Sequence, residues 1–111
     1  MPENVCRVPL TGGNIRNNHF YLRSCSTLIP EGGVGGRNSS DPGVPFTVVF
    51  SPGQTIETDV DGAKMIFRAR QPVRDFFKRS GAQEGDKVVI QRGGDRLMKV
   101  SLEPALPSPT A

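Results

Sequence analysis

The chain has no tryptophan, one tyrosine (Tyr21) and one histidine (His19). Its two cysteines, Cys6 and Cys25, lack a C-x-x-C spacing, and with one histidine to join them they argue against a zinc site. Buried reduced thiols are the expected state; the two could pair, but nothing in the sequence demands a disulfide. No apolar run approaches the roughly 20 residues a membrane-spanning helix needs. Met1 leads into PENVCR and not into the apolar core of a secretion signal. A cytoplasmic protein that does not engage a membrane is therefore expected.

What is present is turn-forming residues and cations. The 111 residues suit one small domain, and 13 glycines with 10 prolines favour short strands joined by many turns over a helical bundle. The chain carries a net +3, but Ala63–Arg79 alone has six cations (Lys64, Arg68, Arg70, Arg74, Lys78, Arg79) against Asp75, a net +5. The remainder is therefore negative by two. Basicity confined to one patch points to a surface that meets an anionic partner.

That stretch reads as a strand running into a helix. In Ala63–Arg70, Met65, Phe67 and Ala69 alternate with Lys64, Ile66, Arg68 and Arg70, so one face is apolar and the other mostly cationic. Gln71-Pro72 then opens a helix that carries Val73, Phe76 and Phe77 and stops at Gly81. Asp75 and Arg79 stand four apart, an acid before a base, which supports a helix.

Taken from the start, Val5–Leu10 is a short edge strand interrupted by Pro9, and Thr11–Asn14 a loop. Asn17–Ser24 alternates buried Phe20 and Leu22 with His19, Tyr21 and Arg23, as a half-buried strand would. Leu28-Ile29-Pro30 is an apolar anchor, and Glu31–Gly43 is turn material. Strands follow at Phe46–Phe50 and Thr55–Val60, with Asp61-Gly62 as a tight hairpin signal. Two more, Lys87–Arg92 and Arg96–Leu102, flank Gly93-Gly94-Asp95. Glu103–Ala111 holds three prolines and one charge and resembles a linker. The expected fold is mostly β, about seven short strands and one clear helix, in an antiparallel barrel or sandwich. Residues 1–102 would form the domain and 103–111 a tail toward a further domain of a larger protein.

Catalytic patterns are weak. His19 could pair with Ser24, Ser26 or Cys25, yet no third orienting group is placed by sequence. Glu57, Asp59 and Asp61 alternate near Lys64, loosely as in a metal nuclease, but solubilising acids at a hairpin end explain them more simply. Gly32–Gly36 lacks the Lys-Ser/Thr of a phosphate loop; it is either a flexible loop or a close backbone approach to phosphate. No catalytic residue, metal or cofactor is expected.

Recognition chemistry fits better. Arginine bonds guanine bidentately in the major groove, and Asn or Gln bonds adenine. Two stretches have this makeup, and base reading is assigned to Asn18, His19, Tyr21, Arg23, Ser24, Ser26 and Thr27 in the first. Arg68, Arg70, Gln71 and Arg74 take that role in the second. Arg16, Asn17, Arg37, Asn38, Lys64 and Arg92 are assigned to phosphates.

The ordered set His19–Arg23, Leu28-Ile29-Pro30, Gly35-Gly36, Thr58-Asp59-Val60, Lys64–Arg70, Val73–Phe77, Gly85–Ile90 and Val100 resembles the B3-like DNA-binding pseudobarrel. That family includes plant transcription-factor domains and the recognition domains of restriction endonucleases of the EcoRII, BfiI and NgoAVII kind. The resemblance implies a seven-stranded open barrel with two short helices, the second near Ser24–Ile29 or in the Gly-rich region. It also implies two arms gripping the major groove, Asn17–Thr27 and Arg68–Arg74. An N-terminal recognition domain followed by a nuclease, as in EcoRII, is the expected setting: a non-catalytic monomer that binds duplex DNA at a short specific site. The rival is a small all-β protein-interaction or non-specific nucleic-acid-binding module. Stacking on single strands needs exposed rings, and only Tyr21 qualifies. A third possibility, metal-dependent cleavage through Glu57, Asp59 and Asp61, predicts magnesium-dependent nicking.

Overall fold

Six phenylalanines hold most of the chain's aromatic surface, and all six are buried. In the computed structural model, which describes residues 4–36 and 40–105, they form the centre of the core. The Phe67 ring lies 5.6 Å from Phe20, 6.1 Å from Phe50 and 6.2 Å from Phe46, and Phe76 and Phe77 extend the cluster from the helical side. Tilted and edge-on pairs of this kind add about 0.5–1.5 kcal/mol each beyond the apolar area they bury.

In chain order the elements are β1 (Val5–Pro9), α1 (Gly12–Arg16), a 3-10 helix (Arg23–Leu28), β2 (Val34–Gly35), β3 (Phe46–Ser51) and β4 (Thr55–Thr58). There follow β5 (Val60–Asp61), β6 (Ile66–Phe67), α2 (Gln71–Ser80), β7 (Lys87–Gly94) and β8 (Leu97–Glu103). One sheet has the order β1-β7-β8-β3-β4, the other β2-β5-β6. β3 runs parallel to β8, and β2 parallel to β5; the remaining pairs are antiparallel. Alternation predicts the long strands well: Val88, Ile90, Met98 and Val100 are fully buried, and so is Val48 on β3. Pro9 sits at an edge, where no ladder hydrogen bond is lost.

The mostly β composition agrees with the sequence. The strand count and the closure do not: the described residues contain eight strands, and the sheets do not close into a barrel. The physical reason lies at Asp59. Thr55–Val60, expected as one strand, ends at Thr58 and resumes at Val60 in the other sheet, because the buried Asp59 carboxylate turns inward to Arg68. The Asp61-Gly62 turn also differs. Residues 62–65 form the turn, and Met65 takes a left-handed φ of +58°, so β6 shrinks to Ile66–Phe67 with both residues buried. The expected apolar and cationic faces of Ala63–Arg70 therefore do not exist as strand faces.

Three further expectations are corrected. Thr11–Asn14 is not a loop but the start of α1: Asn14 N–H donates to Thr11 Oγ1 (3.1 Å), and Thr11 N–H donates to Asn14 Oδ1 (2.9 Å). Asn17–Ser24 has no strand ladder; it runs from the end of α1 into the 3-10 helix, which occupies nearly the Ser24–Ile29 position implied for a second helix. Cys6 and Cys25 are bonded to each other and are not free thiols, since β1 packs beside the 3-10 helix and brings their Cα atoms to 5.7 Å. At the other end, strand pairing reaches Glu103, and Ala105 N–H donates to Asp86 Oδ1.

α2 forms as the sequence predicts. Pro72 lies in its first turn, Val73, Phe76 and Phe77 face the core, and Gly81 closes it at φ +69°, donating to the Phe77 carbonyl. Asp75 and Arg79 pair at 2.8 Å. Its buried face packs near β3, which fixes the direction in which its exposed cations point.

Candidate nucleic-acid interface

Two chain segments far apart in sequence meet at one surface. The first begins where α1 ends at Asn17. Asn18 takes a left-handed φ of +55°, a conformation Asn tolerates better than most residues, and reverses the chain so that His19 N–H bonds the Asn14 carbonyl (3.1 Å). Phe20 and Leu22 are then buried, and Leu22 N–H bonds the Met65 carbonyl at 2.7 Å. Around these anchors Tyr21 and Arg23 are exposed and His19 is half-buried. The His19 and Tyr21 rings are 5.1 Å apart, and the Arg23 guanidinium lies 5.0 Å over Tyr21. Tyr21 is 39% exposed.

The second segment arrives through Arg70, the residue that precedes α2. Its guanidinium donates to the Asn17 carbonyl. One of its nitrogens is thereby anchored, and among the described residues its other donors have no partner. Arg70 and Lys64 lie close enough to act on His19. Burial, and then the positive charges of Arg70 and Lys64, lower the His19 pKa from 6.5, so the imidazole is neutral at neutral pH. Its Nδ1 is buried and has no hydrogen-bond partner among the described residues. The result is a neutral ring with two cations, Arg70 and Lys64, beside it.

Arg68, two residues earlier, points the other way. Its Nε donates to Asp59 Oδ1 (2.8 Å), and its Nη2 donates to Asp59 Oδ2 (3.0 Å) and the Gly36 carbonyl (2.8 Å). Asp59 Oδ2 also accepts the Gly43 N–H at 2.6 Å. Burial alone would push the Asp59 carboxyl up, but the Arg68 bonds and the Gly43 amide outweigh it and hold the pKa down. The expected base reader is thus a clamp, and Asp59 is no solubilising acid. The clamp also accounts for the glycines. A Cβ on Gly35 would collide with the Gly43 amide, and one on Gly62 with the Gly35 carbonyl, so the approach is backbone to backbone.

The other assigned residues divide. Ser24, Ser26 and Thr27 are exposed on the 3-10 helix, Gln71 and Arg74 on α2, and Lys64 on the turn beside His19. Asn18 and Arg74 line one open cleft. Arg16 lies at the end of α1, with Glu84 also close to Gly12. Arg92 turns into the β7–β8 hairpin, where it donates to the Gly94 and Asp95 carbonyls. Arg37 and Asn38 lie outside the described residues. Arg96, unassigned by sequence, binds the Glu31, Val44 and Pro45 carbonyls and staples the glycine-rich loop. Lys78 was also unassigned, although its spacing of four from Arg74 was legible.

Glu57 is exposed, Asp59 is buried, and Asp61 accepts the Ala63 and Lys64 amides, so the three carboxylates do not share a face. Among the described residues no three His, Cys, Asp or Glu side chains group to hold a metal, and no helix is long and apolar enough to cross a membrane. No family model matches the chain, and no curated protein or solved structure gives a significant match.

Proposed function

We propose that the protein binds double-stranded DNA sequence-specifically through the major groove, using the face built from Asn17–Arg23, Lys64 and Arg70. In this reading it is a B3-like target-recognition module of a restriction endonuclease, with cleavage left to a nuclease domain of the same parent protein. One observation carries the reading: the Arg70 guanidinium sits on the Asn17 carbonyl, which joins the two segments richest in base-reading side chains into one surface. Arg70 keeps donors available for a guanine edge, and Asn18 offers an amide. Arg23, held over Tyr21, is positioned at low entropic cost. Lys64 supplies charge for a phosphate. The link to restriction enzymes rests on the motif resemblance alone.

The two stretches then act as one continuous patch rather than as two separate arms. The 3-10 helix places Ser24, Ser26 and Thr27 at its border, and Arg68 contributes by holding the framework.

Selection of bound duplexes from a random pool, followed by sequencing, tests this. A consensus of a few base pairs is the expected result. Binding without a consensus would favour the non-specific module, and no binding would end the DNA reading.

A further inference from the structure

α2 carries a cationic row that the base-reading face does not absorb. Arg70, Arg74 and Lys78 follow at intervals of four, each step rising about 6 Å along the axis. The core-facing side beside the row buries Val73, Phe76 and Phe77. The acid next to the row, Asp75, is held by Arg79 at 2.8 Å. Arg74 and Lys78 have no carboxylate partner among the described residues, and both flank two open clefts. The larger, about 450 Å³, begins at Asn18; the smaller, about 170 Å³, contains the amides of Gln54 and Gln71 together with Asp75. Favourable interaction with the helix dipole accounts for Lys78 and Arg79 in the last turn, but not for Arg74 near the start.

We infer that Arg74 and Lys78 follow the sugar–phosphate backbone of the bound duplex beyond the base pairs read at the Asn17–Arg70 face. The inference rests on the DNA-binding reading and extends it: Arg74 becomes a backbone contact, and the footprint lengthens on the α2 side. Unpaired side-chain cations and flanking amides suit phosphodiester oxygens, and the row leads directly from Arg70.

The test uses two labelled duplexes, one carrying the selected site with a helical turn of flank on each side, the other trimmed to the site. The salt dependence of binding is measured for wild type, Lys78→Gln and, as a control for lost charge, Lys99→Gln on the exposed face of β8. On the flanked duplex Lys78→Gln should reduce the slope of log K against log[salt] by about one. On the trimmed duplex it should match wild type, and Lys99→Gln should match wild type on both. Equal losses on both duplexes, or none on the flanked one, would overturn the row while leaving the base-reading face intact. A wild-type protein that binds neither duplex would overturn both readings together.

Discussion

Arg68 and Arg70 are separated by one alanine and have opposite fates. Arg68 turns in, its side chain 20% exposed, and ties the β5–β6 hairpin to the glycine-rich loop through Asp59 and Gly36. Arg70 turns out and binds one backbone carbonyl at the edge of an exposed cationic face. The same guanidinium chemistry therefore serves architecture at one position and, in the proposed reading, is offered to DNA at the other. The difference is made by carboxylates: Asp59 clamps Arg68, with Asp61 and Asp41 adding negative charge nearby, and no acid pairs with Arg70 among the described residues.

Breaking the inner side should have the largest effect. Asp59→Ala takes the carboxylate from the Arg68 guanidinium and the Gly43 amide, and should cost about 3–5 kcal/mol of stability in a denaturant melt. The pH dependence has a definite sign. The folded Asp59 pKa lies below the ordinary 3.8, so its contribution is complete above that value and is lost as pH falls through the depressed folded pKa. The gap between wild type and Asp59→Ala should therefore narrow in acid. A gap that stays constant down to strong acid would mean that the pair does not stabilise the fold.

Next in size is the cross-link. Reducing Cys6–Cys25, which spans 19 residues, should lower stability by about 3 kcal/mol. The enclosed segment contains Asn17–Arg23, so reduction should also raise amide exchange there while leaving β7 and β8 protected. In a reducing cytoplasm the pair would stand as adjacent thiols, and this contribution would be absent. Unchanged exchange between His19 and Arg23 on reduction would show that the stack is held without the sulfur bond.

Arg70→Ala should do the reverse of Asp59→Ala. Stability should change little, while affinity for the selected duplex falls by about 1–3 kcal/mol. A melting point that drops as far as that of Asp59→Ala would remove the contrast between the two arginines.

The smallest expected effect is at His19. Its folded pKa is lowered, so the unfolded chain binds the proton more readily, and stability should decline as pH falls below 6.5 toward the folded value. His19→Gln should flatten that window, since His19 is the only histidine. A wild-type profile already flat there would contradict the assigned environment.

Much of this contrast was invisible in the sequence. Periodicity predicted β3, β7, β8 and α2 because each is long enough for its own pattern to dominate. It failed where a few residues are governed by distant partners. The alternation of Phe20 and Leu22 was real burial, but with one anchor to Met65 and no ladder. The pattern Met65–Phe67–Ala69 was broken by the left-handed Met65. Thr11 caps a helix with Asn14 in the place where Glu or Gln is the usual signal, so two glycines read as a turn. The basic patch and its two stretches are legible from composition; that Arg68 faces inward is not, because Asp59 lies nine residues away in a pattern that reads as surface acids.

The central claim is that Arg70 reads a base. The most direct measurement compares the binding consensus of wild type and Arg70→Ala, each selected from the same random duplex pool. One position of the wild-type consensus should lose its preference in the variant while the others persist. An unchanged consensus, with affinity lowered alike for every duplex, would contradict the claim.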